Sequence, residues 1–356
     1  MIISEGRLIG LAEAVFVAAG SSAEEARKVA HRLVEANMAG HDSHGVGMIP
    51  AYVDSVLAGR LKPNQEPRIL RDNGAVLVID GQVGYGQVIA ERAMRLGIEK
   101  ARQLGIAAVA LRNSHHIGRV GAWGEMCAAA GFVSMHWVNA FARAPLVAPY
   151  GGADARFTTD PYCTAIPATA SNPPIILDMA TSKIAMGKVR VARNTGTQVP
   201  PDALIDAHGN PTRDPEVMYQ DPPGALMSMG LYKGYGLAVI CEMLAGALGG
   251  GGAFSMARID ENTIINNMLT VILDPELFGE IDRFHDEIDR FTAHVKASPV
   301  APWAEEVMVP GDPERRMRAE REREGVPLDD TTWREIVAAA GRIGLSPQEL
   351  DRLAGN

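Results

Sequence analysis

LRNSHHIGRVGAWG, residues 111–124, is the stretch on which the reading of this chain turns. The apolar run Ile106–Leu111 leads into it and reads as a buried strand. The Ala-rich segment Trp123–Ala130 follows and reads as a helix. Between them stand Ser114, His115, His116 and Arg119, spaced by Gly118 and Gly121. Side chains converge on ligands where a strand end opens into a helix start, and a helix N-terminus offers free N–H groups to an anion. Histidine adds a group that takes or gives a proton near neutral pH, with an ordinary pKa of about 6.5. One polar loop needs no chemistry to explain it. A second cluster, His41-Asp42-Ser43-His44, lies far upstream between two helices, and two such clusters in one chain point to a site.

Working outward, Leu8, Leu11, Ala12, Val15, Phe16 and Ala19 share one face of a first helix, ended by Gly20. Ser22-Ala23-Glu24-Glu25 has the form of a capping box, with Ser22 as N-cap and Glu25 reaching back. A second helix stops near Gly40, and a third spans about Ile49–Leu57. Gly59–Pro67 is turn-rich. Strands are expected at Ala75–Asp80, 106–111, Phe132–Asn139, Ile175–Leu177 and Asn267–Leu273, with a hairpin tip at Asp206–Asn210. Helices are expected after Gly86, over Gly234–Leu248, over Glu280–Val295 and around Trp333–Ile343. The charge-dense run Asp312–Glu324 reads as a solvated helix face. These strands are not spaced as regular βαβ units, so the fold class is α+β rather than a doubly wound sheet.

A chain of 356 residues, 47% hydrophobic and 22% charged, is an ordinary globular protein able to bury a full core. Net charge is −9, which disfavours a nucleic-acid partner. Cys127, Cys163 and Cys241 are dispersed and flanked by apolar residues, as buried reduced thiols of a cytoplasmic protein are. No basic-then-apolar leader opens the sequence, and no apolar run reaches about 18 residues, so neither export nor a membrane partner is expected.

Several motifs are missing. A dinucleotide enzyme of the common kind shows GxGxxG after its first strand; Gly84-Tyr85-Gly86 and Gly45-Val46-Gly47 both lack the third glycine. There is no GxxxxGK[ST] loop, no HExxH and no CxxC, so no metal site is expected. Ser43 and Ser114 lack the GxSxG elbow of a serine hydrolase. Two further segments stand out. Leu177-Asp178-Met179-Ala180-Thr181-Ser182 is an apolar strand entering a small-residue turn. In Tyr232-Lys233-Gly234-Tyr235-Gly236 a cation opens a helix, against the helix dipole.

Together AGHDSHGVGMIPAYV (39–53), NSHHIGRVG (113–121), LDMATS (177–182), KGYGLAVICEMLAGALGGG (233–251) and DPELFG (274–279) resemble the type-2 malate/L-lactate dehydrogenase family. The likeness is closest to its bacterial hydroxycarboxylate dehydrogenase B branch, and it extends over nearly the whole chain. It implies a non-Rossmann fold that binds NAD or NADP without GxGxxG. The implied organisation is an N-terminal helical part (1–73), a β-rich cofactor-binding and catalytic domain (74–298) and a C-terminal helical part (299–356) packed on the first. It implies a homodimer that interconverts a 2-oxo acid and a 2-hydroxy acid. By the match of NSHHIG, His116 is the implied proton donor and acceptor, with Ser43 and His44 at active-site positions. Implied cofactor contacts are His44, Gly118, Arg119, Val120, Ile176, Leu177, Asp178, Met179, Ala180, Tyr232, Asn266, Glu314, Arg315, Arg316 and Met317.

The chain also departs from that pattern. Met48 stands where many members carry Arg for the substrate carboxylate. Thr158-Thr159-Asp160-Pro161 replaces Gly-Thr-Asn-Pro. Tyr232 stands where the near branch has His, and an extra residue and a new arginine, Arg143, fall within Phe141–Ala144. Arg119, Arg143 and Lys233 are the candidate cations for a carboxylate. Alternative readings are a cyclic-imine reductase of the piperideine-2-carboxylate type on the same scaffold, a metal-dependent hydrolase using the histidine clusters, and a cofactor-binding protein that has lost catalysis.

Overall fold

The computed structural model describes residues 1–141, 143–255 and 263–355; Ala142, inside the Phe141–Ala144 insertion, lies outside them. A seven-stranded sheet forms the centre. Its spatial order is Arg68–Asn73, Val76–Asp80, Ile106–His115, Ile265–Leu273, Val133–Phe141, Tyr162–Ile166, Ile175–Met179. One neighbouring pair, Val76–Asp80 with Ile106–His115, is parallel, and the other five are antiparallel. Parallel neighbours need a crossover, and the helix Gly86–Leu104 supplies it. With helices beside this mixed sheet, the fold is α+β.

Alternation explains the sheet's one-sided core. Ala107, Val109 and Leu111 from one strand, with Met268 and Ile272 from its neighbour, meet Ile89, Ala93, Met94 and Trp123 from the helices Gly86–Leu104 and Gly121–Ala129. Trp123 has no exposure, and burying a side chain of this size stabilises by about 1.5–3 kcal/mol or more.

A second core joins the two chain ends. Helices Glu5–Ala18, Ala23–Met38 and Ile49–Leu57 pack with Asp330–Gly341 and Pro347–Ala354. A short antiparallel pairing of Ile2–Ile3 with Val326–Pro327 closes the unit. Phe16 meets the rings of Tyr52 and Tyr85 at centroid distances of 6.2 and 5.5 Å. This core therefore sets where Tyr52 stands.

Two local expectations change. Ser22 does accept the Glu25 N–H at 3.2 Å. The Glu25 carboxylate, however, accepts the Asn64 N–H, and the Ser22 N–H goes to Asn64 Oδ1. The linker thus replaces the reciprocal half of the capping box. The helix Asp312–Glu324 is not solvated all round either. Arg321 is buried, donating to the Asn37 carbonyl and forking onto both oxygens of Asp42. Periodicity alone cannot show that one charge of a run finds a partner from another element.

Candidate active site

The two histidine clusters meet. After Met38 the chain turns through Gly40 into a short 3-10 turn, Asp42–His44. Asp42 is pinned there by Arg321 and by the Asn37 amide at 2.6 Å, which fixes the direction of His44. On the sheet side, His115 ends its strand and His116 stands just beyond. Asn266 and Asn267 hold this exit at a register shift in their own strand. Asn266 Oδ1 accepts the Ile117 N–H at 3.0 Å, and Asn267 Oδ1 accepts the Asn113 N–H at 2.9 Å. Both amides donate to Asn139 on the next strand.

Two glycines permit the geometry. Gly118 has φ +75°, a left-handed conformation that favours glycine. The helix start at Gly86 lies so close to the His115 and His116 carbonyls that a Cβ would come within 2.4 Å of both. The glycine turn that fails as a dinucleotide fingerprint thus has a structural reason to be there.

Both ring nitrogens of His116 have partners. His116 Nε2 lies 3.1 Å from His44 Nδ1, with the rings stacked at 12°. His116 Nδ1 lies 2.6 Å from the Tyr52 hydroxyl, which accepts from Gln87 Nε2 at 2.6 Å. The Tyr52 oxygen can accept from both Gln87 Nε2 and His116 Nδ1–H, and in that tautomer Nε2, the nitrogen facing His44, keeps its lone pair free for a proton. Burial holds His116 well below the ordinary histidine value, helped by the nearby His44, His115 and Arg143. Burial also brings His44 down to about 4, with charge from His41 and Arg119 adding to it. His115 differs from its neighbour: both of its ring nitrogens are buried without a partner among the described residues, and its ring meets Tyr52 edge-on at 5.4 Å.

The other expected residues divide into two groups. Arg119 is buried, 2.5 Å from Glu125 and 3.5 Å from Glu35. The Gly121 N–H donates to Asp178 at 2.7 Å. Glu314 accepts from His41 at 3.2 Å, and Met317 lies over Gly40. The charges of Arg119 and His41 reach Asp178 and Glu314. His44, Gly118–Val120, the strand Ile175–Met179 with Ala180, Glu314 and Met317 therefore form one neighbourhood. Ser43 is exposed at its rim, beside Gly187. Asn266 is buried, holding the Ile117 loop as described. Arg315 is tied to the Pro174 carbonyl and Asp312. Arg316 points outward to Glu305, and Tyr232 is 59% exposed against Tyr150. Met48 packs against the helical core. Among the described residues no three His, Cys, Asp or Glu side chains could hold a metal ion.

Tyr52 and Gln87 are the members that sequence reasoning missed. Both lie on helices, and Tyr52 is buried like any core residue. The only trace is a tyrosine hydroxyl and a glutamine amide on otherwise apolar faces.

The sequence profile of the malate/L-lactate dehydrogenase family matches residues 3–337. The chain belongs to this family. Malate/L-lactate dehydrogenases of this type are NAD(P)-dependent enzymes acting on 2-hydroxy acids. The chain is 48% identical to hydroxycarboxylate dehydrogenase B of Escherichia coli strain K12, covering 95% of this chain and 93% of that protein. It is 38% identical to an L-lactate dehydrogenase of Cupriavidus necator, covering 94% and 96%. Among solved structures, an E. coli protein described as a candidate malate/lactate dehydrogenase superposes with a TM-score of 0.95. That pair is 46% identical, covering 99% of this chain and 98% of the other. Arg119 Nε and Nη1 are buried with no partner among the described residues. Such spare donors suit a ligand rich in acceptor oxygens, as the family's dinucleotide cofactor is.

Proposed function

We propose that this chain interconverts a 2-oxo acid and a 2-hydroxy acid with NAD or NADP, using His116 as proton donor and acceptor. What supports this best is the four-residue line His44–His116–Tyr52–Gln87. It holds one imidazole by both nitrogens, from elements more than sixty residues apart. The cofactor, when bound, supplies or accepts the hydride. His44, Gly118, Arg119, Val120, the segment Ile176–Ala180 with Asp178, Glu314 and Met317 would hold it, on a sheet of non-Rossmann order. Tyr232, Asn266, Arg315 and Arg316 would act from the edge or from behind.

In the reducing direction, negative charge grows on the substrate carbonyl oxygen, and His116 Nε2 gives it a proton. In the oxidising direction, the same nitrogen takes the hydroxyl proton. Tyr52 keeps the ring's orientation through Nδ1, and His44 with Ser43 orients the reacting oxygen. The helical parts 1–73 and 299–356 clasp the domain 74–298, so the cleft lies between them. The outward apolar side chains Ile240, Met243 and Leu248 support a homodimer. Buried free cysteines fit the cytoplasm.

Steady-state assay of a panel of 2-oxo acids with NADH and NADPH tests the proposal. Turnover of at least one acid is expected. A panel in which only cyclic imine carboxylates react would move the assignment to an imine reductase. No turnover of any member would sink it.

A further inference from the structure

Strands Ile106–His115 and Val133–Phe141 flank Ile265–Leu273, and the pairings His115↔Ile265 and Ile265↔Phe141 set their ends level. Two strand spacings of about 4.8 Å separate those ends. The strand ending at Phe141 therefore finishes at the same sheet end from which His116 emerges, and Arg143, two residues on, is half-buried and near enough for its charge to act on His116. The other candidate cations are engaged or remote. Arg119 holds Glu125 and Glu35, Arg112 donates to the Gly250 carbonyl, and Lys233 is exposed. Arg143 has no hydrogen bond or ion pair with any described residue. A cation withdrawn from water without a counter-charge is costly, so a site that retains one has a use for an anion.

We infer that Arg143 grips the carboxylate of the 2-oxo or 2-hydroxy acid and so sets the reacting carbon in front of His116. This rests on the function proposed above. The planar guanidinium matches both oxygens of a carboxylate. Once both are held, the neighbouring carbonyl has little freedom, and its oxygen is directed to His116 Nε2. The cation comes from the sheet side, whereas Met48, on the helical side, lies against the core.

The placement also couples binding to protonation. Without substrate, the Arg143 charge helps to keep His116 deprotonated, and Arg143's own pKa is depressed by burial. A bound carboxylate offsets that charge, so the imidazole gains proton affinity when an acid is present to receive the proton. A neutral analogue would neither be gripped nor load the histidine.

The test uses oxamate, an unreactive carboxylate of 2-oxo-acid shape, titrated calorimetrically into the full-length protein with and without NADH. Arg143→Met should weaken oxamate binding by about 10- to 100-fold, and Arg143→Lys by less. NADH affinity and the unfolding temperature should stay those of the wild type, because no protein partner of Arg143 is orphaned. With pyruvate and neutral pyruvamide as substrates, Arg143→Met should lower kcat/KM for the acid and leave the amide unchanged, a selective loss that a merely structural role would not produce. Equal oxamate affinity in wild type and Arg143→Met, or none in the wild type, overturns the inference even if 2-oxo acids are reduced. Oxamate binding that depends on Arg143, in a protein that reduces no 2-oxo acid, keeps the anion grip and sinks the dehydrogenase reading.

Discussion

His116 at the end of the sheet and His136 in its middle look alike on simple criteria. Both are buried, both have partners at each ring nitrogen, and both are depressed by burial, His136 to about 3. Their surroundings differ. His136 is held by Ser134 on its own strand and by Thr270, its cross-strand partner, each at 2.9 Å. The sheet encloses it completely. His116 is held by His44 and Tyr52, which belong to the helical unit, and beside it His44 is half-buried and Ser43 exposed. Burial and a lowered proton affinity therefore do not mark chemistry by themselves. What sets His116 apart is partners drawn from separate elements.

The largest expected effect sets these two residues against each other. His116→Ala should lower kcat by roughly 10²–10⁴-fold, the worth of a positioned acid–base group, with cofactor affinity nearly unchanged. His136→Ala should leave kcat per folded molecule intact but destabilise by about 2–4 kcal/mol, through a cavity and two orphaned hydroxyls. Denaturant melts and active-site-normalised kinetics of both variants decide the matter, and the reverse outcome would erase the distinction. His115→Ala should fall between wild type and His116→Ala in turnover, since its nitrogens engage no described residue.

Next in size is Tyr52→Phe. It removes the hydroxyl facing His116 Nδ1 while keeping the ring that packs on Phe16. We expect turnover to fall about 10- to 100-fold and the unfolding temperature to drop modestly, from the orphaned Gln87 amide. Equal turnover would mean that the helical unit does not orient the imidazole.

The pH profiles sharpen the comparison further. The kcat/KM for oxidation reports the free enzyme, in which burial keeps His116 well below 6.5. Its acid limb should therefore lie below the ordinary histidine range. Reduction needs the proton, so its rate should decline as pH rises. An oxidative limb centred near 6.5 would place His116 in a wetter setting than the one described.

The smallest effect concerns a third buried group. The Asp160 carboxyl is fully buried, and burial with the adjacent Glu242 carboxyl pushes it well above the usual carboxylate range. Burial raises Glu242 too. The folded state then keeps a proton that the unfolded chain has released. The pair's contribution to stability is complete below the ordinary carboxyl values and is lost as pH climbs through the raised folded ones. Asp160→Asn should flatten that loss, seen as a smaller difference between unfolding temperatures at neutral and alkaline pH. An unchanged slope would show that the pair shares no proton.

The sequence by itself determined much of this protein. Apolar periodicity marked the terminal helices and most strands of the large sheet, because burial of one face is written locally in residue spacing. Two His-rich boundaries without structural necessity marked the candidate site, and the ordered motifs marked the family. The edge strand Arg68–Asn73 and the helix Met186–Thr195 went unseen, since their exposed faces carry little apolar pattern. Only the tertiary structure decided that Tyr52 and Gln87 stand behind His116, that Arg119 is already paired, that Arg321 is buried on Asp42, and that Arg143 is not paired with any described residue. The reason is physical. A helix or strand follows from short-range preferences, whereas a hydrogen bond or an unpaired charge is a relation between distant segments. That relation exists only once the two cores have closed against each other.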